Sequence, residues 1–210
     1  MKSQPQPTPR RKWHPQRWLL LLAASLLAYA GWTTYAYHSA LKEAKALGWA
    51  VEYTDPLKVI RQNWKAAFTK DVWLEGVTDI GIQGSDGLEQ HQDIVRRLNP
   101  KMVLICDATN LRDLSALKGL QRLEGIFIQE GANLNNVDIL KNLPVLKTVV
   151  FSYCTGLTNI NALAHHSTLQ FLSLSGCTGL TKESIEALKA TLPKTQVLDN
   201  FTSDPEPPSP

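Results

Sequence analysis

Between Val77 and Asn200 the 210-residue chain repeats itself every 23 residues. Leu169-Gln-Phe-Leu172-Ser-Leu174-Ser-Gly-Cys177-Thr-Gly-Leu180 aligns with Leu146-Lys-Thr-Val149-Val-Phe151-Ser-Tyr-Cys154-Thr-Gly-Leu157 at that offset, and the same step runs backwards through the chain. It aligns Ile80, Val103, Ile126, Val149 and Leu172; then Ile82, Ile105, Ile128, Phe151 and Leu174; then Leu88, Leu111, Leu134, Leu157 and Leu180. All fifteen positions are Val, Ile, Leu or Phe, which make up roughly a quarter of the chain, so chance does not account for the columns. Further columns follow in the second half of each unit: Leu114, Val137 and Ile160, then Ile94, Leu117, Leu140 and Leu163. The last unit is longer by two, which brings Ile185 and Leu188 into them. One such unit cannot bury its apolar side alone, whereas stacking five places Ile82, Ile105, Ile128, Phe151 and Leu174 over one another in a shared core.

The spacing L-x-x-L-x-L-x-x-C-x-x-L resembles the leucine-rich repeat superfamily, and units such as Asn110-Leu-Arg-Asp-Leu-Ser-Ala-Leu-Lys-Gly-Leu120 look like internalin-type bacterial repeats. The resemblance implies an α/β solenoid, a short array of about five 23-residue units with a parallel β-sheet on its concave face. The position that is usually Asn or Cys in that family is filled by Ser85, Ala108, Gly131, Cys154 and Cys177, and Pro100 replaces the leading apolar residue of the second unit. The open ends of a stack need covers. The candidates are a helix from Asp55, an N-cap with Pro56 after it, through about Thr69, with Val72-Trp73-Leu74, at the front, and Leu188, Leu192 and Val197 at the back.

Side chains alternate along a strand, so the residues flanking each inward pair face outward. Between the two inward positions stand Gly81, Leu104, Phe127, Val150 and Ser173, which predicts an exposed apolar stripe of Leu104, Phe127 and Val150, with Met102 and Phe171 in the column beside it. Asp107, Gln129, Glu130 and Tyr153 lie toward the other side. An apolar patch with a polar rim marks a contact site, and these nine residues are the expected binding surface for a protein or peptide partner.

No catalytic or cofactor-binding constellation accompanies the repeat. Gly81-Ile-Gln-Gly-Ser-Asp-Gly87 reads as a repeat turn, not a dinucleotide fingerprint. His165-His166 lacks a nearby third ligand, and His166 falls in the column of Leu120 and Leu143, as a partly buried structural residue would. Three cysteines without a CxxC pair point to neither zinc nor dithiol exchange. Cys154 and Cys177 read as inward-facing free thiols, and Cys106 falls on the outward surface in the column of Gln129 and Ser152. The expectation is therefore a non-enzyme that needs no cofactor or metal.

The formal charge of +3 has one source: Lys2, Arg10, Arg11, Lys12 and Arg17 carry +5 with no acid among them, while the other 193 residues hold 17 bases and 19 acids. That leaves the folded part without the electrostatic footprint of a nucleic-acid binder. Residues 1–17 form a basic tail, expected to be disordered and cytoplasmic. Residues 18–37 contain no formal charge and open on Leu19 to Leu22. At about 1.5 Å per residue they cover about 30 Å, one hydrocarbon thickness. Trp18 stands at one end and Trp32, Tyr35 and Tyr37 at the other, as in a transmembrane helix with its N-terminus inside. The alternative is a signal peptide cut after Ala28-Tyr29-Ala30, which would make the protein secreted. Residues 38–76 are read as a stalk ended at Gly48 and a capping region, 77–200 as the repeat domain, and 201–210 as a disordered Pro-rich tail. The expected molecule is a single-pass membrane protein with a periplasmic or extracellular repeat domain that recognises proteins as an adaptor, receptor-like or assembly component. A self-associating structural envelope protein, a homo-oligomer, is the second reading.

Overall fold

The computed structural model describes residues 15–53, 77–84 and 86–201, and separates two compact units, Met1–His38 and Ser39–Pro210. Helix α1 runs Pro15–Ala46. In the first unit Tyr29, Trp32 and Tyr35 are exposed, and the Tyr37 ring meets His38 edge-on. Among the described residues no helix is long and apolar enough to cross a membrane; the side chains at 18–24, 26, 27, 30 and 33, which include the leucines of the expected span, lie outside them.

The second unit is α/β, built on one seven-stranded, mostly parallel sheet whose strands lie in chain order: β1 (Ala50–Tyr53), β2 (Val77–Gln83), β3 (Met102–Cys106), β4 (Gly125–Gln129), β5 (Thr148–Ser152), β6 (Phe171–Ser173) and β7 (Gln196–Leu198). Only β1 is antiparallel to its neighbour. The register follows the sequence period: Ile80 pairs with Val103, Val103 with Ile126, Ile126 with Val149, and Val149 with Leu172. Leu172 then pairs with Val197, the two extra residues of the last unit being absorbed before β7. A slip of one residue would turn every apolar column to the wrong face, so burial locks this register.

The fifteen column residues are buried, most of them fully. Burying a side chain of this size removes about 1.5–3 kcal/mol of unfavourable hydration, and here each contact is shared with the turn above and the turn below. Pro100 is buried in the same column as Leu123, Leu146 and Leu169, so the ring serves as the apolar residue it replaces.

Opposite the strands the chain closes each turn by different means. After β2 come α2 (Asp86–Gln90) and α3 (Gln92–Leu98); the middle turns use only short 3-10 segments, Ser115–Leu117, Asp138–Asn142 and Asn161–Leu163; the last uses α4 (Lys182–Thr191). Strands sit about 4.8 Å apart whereas α-helices with side chains are about 10 Å across, so the slimmer 3-10 turn suits the middle of the stack. Asp113, Asn136 and Asn159 repeat at the 23-residue step, and each accepts a hydrogen bond from the backbone N–H two residues on, at 2.8, 2.9 and 2.9 Å, satisfying a donor the short helix leaves open. Gly156 and Gly179 recur for a different reason: a Cβ at either would run into a backbone carbonyl oxygen of the preceding turn, Ala132 or Thr155.

Both ends of the stack are covered. At the front, the stretch expected as a stalk is packed: Ala40, Leu41 and Ala44 on the last turns of α1 are buried, with Trp49 after it. Glu43 binds Arg97 of α3 at 2.6 Å, and Gly48 ends the helical run with φ +77°, a conformation without steric cost only for glycine. The Asp55 to Thr69 helix and Val72-Trp73-Leu74 lie outside the described residues. At the back, Ile185, Leu188 and Leu192 close the core while Val197 is only half-buried. The wholly buried Asp199 carboxylate is held by Lys189 at 2.7 Å; the hydrogen bonds that the Lys189 ammonium donates to Asp199 and then to Glu186 push its pKa upward.

Candidate functional site

The parallel register that buries one set of side chains places the alternate set in columns on the outer face of the sheet. One column is Ala50, Gly81, Leu104, Phe127, Val150, Ser173 and Leu198, each paired to the next. Its neighbour is Asp79, Met102, Gly125, Thr148, Phe171 and Gln196. Leu104, Phe127 and Val150 thus stand side by side, and Met102 and Phe171 share the second column. The stripe is half-buried rather than exposed, because residues one strand spacing apart cover each other's flanks. Met102 also leans over Gly125, where a Cβ would meet its Cε at 3.1 Å and a Phe127 ring carbon at 3.6 Å. The stripe stops at Ser173, which is buried and hydrogen-bonded to Ser175 at 3.2 Å, and an exposed Leu198 follows at the edge.

Of the remaining expected residues, Gln129 ends β4, while Asp107, Glu130 and Tyr153 stand just past strand ends; all four are exposed, Tyr153 to 63%. Three of them occupy a position that the sequence period did not reveal as special. Gly84, Asp107, Glu130, Tyr153 and Gly176 recur every 23 residues with φ of 82°, 57°, 62°, 56° and 73°. The left-handed conformation costs a non-glycine residue about 1–2 kcal/mol. It is held because the backbone N–H groups of Gly84, Glu130 and Tyr153 bond to the carbonyls of Cys106, Ser152 and Ser175 in the next repeat unit, at 2.9, 2.8 and 2.8 Å. The outcome is a line of side chains along one margin of the outer face. Gln129 donates to the Glu130 carboxylate at 3.1 Å, and the Tyr153 ring packs on Gly176, where a Cβ would lie 2.6 Å from Cδ1.

Two acids on the opposite margin were not foreseen. Glu52 of β1 and Asp79 of β2 are cross-strand partners on the outer face, beside Met102. Burial, and then the Glu52 carboxylate, raise the Asp79 carboxyl above its ordinary value, while Lys101 opposes the shift. Asp79 was findable from the column it shares with Met102 and Phe171. Glu52 was not, since it belongs to β1, which lies outside the repeat.

The cysteines are all free. Cys106 is exposed at the outer margin. Cys154 and Cys177 are buried, their sulfurs directed at the Ile128 and Phe151 carbonyls at 3.7 and 3.5 Å, and the neighbouring Cys177 sulfur together with burial pushes the Cys154 thiol upward. His166 is half-buried with Nδ1 3.3 Å from the Thr168 hydroxyl, and His165 is exposed with φ 59°. Among the described residues no three His, Cys, Asp or Glu side chains gather as a metal site would need. What the outer face offers chemically is an apolar strip with Glu52 and Asp79 on one side and Asp107 and Glu130 on the other. No model of a known family matches this chain, and no curated protein matches it.

Proposed function

We propose that the chain is a leucine-rich repeat solenoid, tethered to a membrane through residues 18–37, that captures a protein or peptide partner on the outer face of its sheet. The observation that carries the reading is the conjunction of the 23-residue strand register with an apolar outward column, Leu104, Phe127 and Val150, bordered by Met102 and Phe171. A sheet face that merely met water would have no need of large apolar side chains in adjacent rungs, and a contiguous apolar strip with a polar rim is the usual signature of an interaction surface. The tether is supported by the uncharged run inside α1 and by the five bases that precede it, since an excess of bases before a span favours an N-terminus in the cytoplasm and repeats in the periplasm or outside the cell.

A photoreactive amino acid placed at Phe127 or Val150 of the full chain in its native membrane tests this reading. Discrete protein crosslinks are expected from these positions and none from Lys118 or Asn142 on the opposite side of the turns. Equal labelling from both sides, or none from the outer face, would overturn it.

A further inference from the structure

We propose that the partner presents a cationic, apolar extended segment to the outer face. The inference rests on the docking reading above and adds the chemistry of what docks. The outward positions of the described strands are Ala50, Glu52, Asp79, Gly81, Gln83, Met102, Leu104, Cys106, Gly125, Phe127, Gln129, Thr148, Val150, Ser152, Phe171, Ser173, Gln196 and Leu198. Two of these are acids and none is a base. Asp107 and Glu130 in the adjoining turns add two more acids, so the apolar strip has carboxylates on both margins.

Among the described residues, no outward position of the strands supplies a base to these acids. Lys101, just before β3, opposes the Asp79 shift, whereas Lys147 is engaged by Glu124 at 2.7 Å. Glu52 and Asp79 face each other directly across the antiparallel pair, an arrangement of like charges that weakens a sheet and that a lysine or arginine set between them would relieve. An occupant with apolar side chains over Met102, Leu104, Phe127 and Val150, and cations reaching Glu52 and Asp79 on one side and Asp107 and Glu130 on the other, matches the face in shape and sign. A second copy would bring the same four carboxylates to the contact, and the chain's own last residues carry Asp204 and Glu206; like charge disfavours both as occupants.

Matched decapeptides of equal apolar content, one lysine-rich and one glutamate-rich, titrated against the full-length chain in a neutral detergent, test this. The lysine-rich peptide is expected to bind at least tenfold more tightly, and its affinity to fall several-fold between low and physiological salt. Glu52→Gln with Asp79→Asn is expected to weaken it about two- to five-fold per carboxylate, as rim charges do, and adding Asp107→Asn with Glu130→Gln to abolish the preference. Binding that is indifferent to peptide charge but lost in Phe127→Asp would sink the cationic partner and leave the docking face standing. Binding that survives both Phe127→Asp and Leu104→Asp would sink both. Self-association at low peptide concentration, or no binding of either peptide, would overturn the inference in favour of another occupant.

Discussion

Replacing Gly131 with alanine sets one turn of the stack against the next. Gly131 occupies the small-residue column that continues through Cys154, and a Cβ there would lie 2.9 Å from the Cys154 sulfur and 3.2 Å from the Leu134 Cβ. Its φ is not in the left-handed region, so the backbone accepts alanine, and the substitution gains about 0.4–1 kcal/mol by restricting the unfolded chain. Against this, forcing a methyl into a filled core costs about 1–3 kcal/mol. The expected net loss for Gly131→Ala is about 1–2 kcal/mol, or a Tm lower by about 2–8 °C for a folded part of this size. Cys154→Ala alone removes a buried sulfur and costs about 1 kcal/mol. Because that same sulfur is what the new methyl meets, the double variant is expected to recover about 0.5–2 kcal/mol relative to the sum of the singles. The assay is urea unfolding of the four proteins followed by circular dichroism, with reductant present throughout. Strict additivity would refute the reasoning, since it would mean that residues 131 and 154 do not lie on one another and that the 23-step register is not the one adopted.

Three further outcomes follow from the geometry. Thr181→Ala removes the hydroxyl that accepts the Ser184 N–H at 3.2 Å at the start of α4, and should cost about 1 kcal/mol in the same assay, whereas Thr181→Asp should be nearly neutral. Asp79→Asn should raise the Tm at neutral pH: the fold binds that proton more tightly than the open chain does, so the penalty is present at neutral pH and fades as pH falls through the raised folded value, and the variant's advantage should shrink in acidic buffer. Glu43 behaves in the opposite sense. Hydrogen bonds from Arg97 and then Ser39 hold its carboxyl below the ordinary 4.5, so the stabilisation is complete above that value and is lost as pH falls through the depressed folded one; Glu43→Gln should flatten the acid limb of the stability profile.

How much of this was legible beforehand depends on how local the cause is. The inward columns could be read because each residue is tied to its equivalents by a fixed step, and burial makes the identity at each position chemically uniform: Ile80, Val103, Ile126, Val149 and Leu172 had to share an environment. The outer face could be read only in part. Leu104, Phe127 and Val150 follow from alternation, yet alternation cannot say that neighbouring rungs shield them to half-burial. It also cannot show that the turn closing each strand carries Asp107, Glu130 and Tyr153 into a left-handed conformation and lines them up on one margin.

By itself the amino-acid sequence determined the repeat length, the inward residues, the two-residue lengthening of the last unit and the charge asymmetry, since each is a property of spacing or composition along the chain. Tertiary structure alone decided that the stretch after His38 packs as a front cover instead of standing off as a stalk, that Ala50–Tyr53 adds an antiparallel strand, and that Glu52 therefore meets Asp79. Those contacts join segments with no periodic relation to one another. Their partners are chosen by which surface remains open once the stack has formed, and nothing in local spacing encodes that.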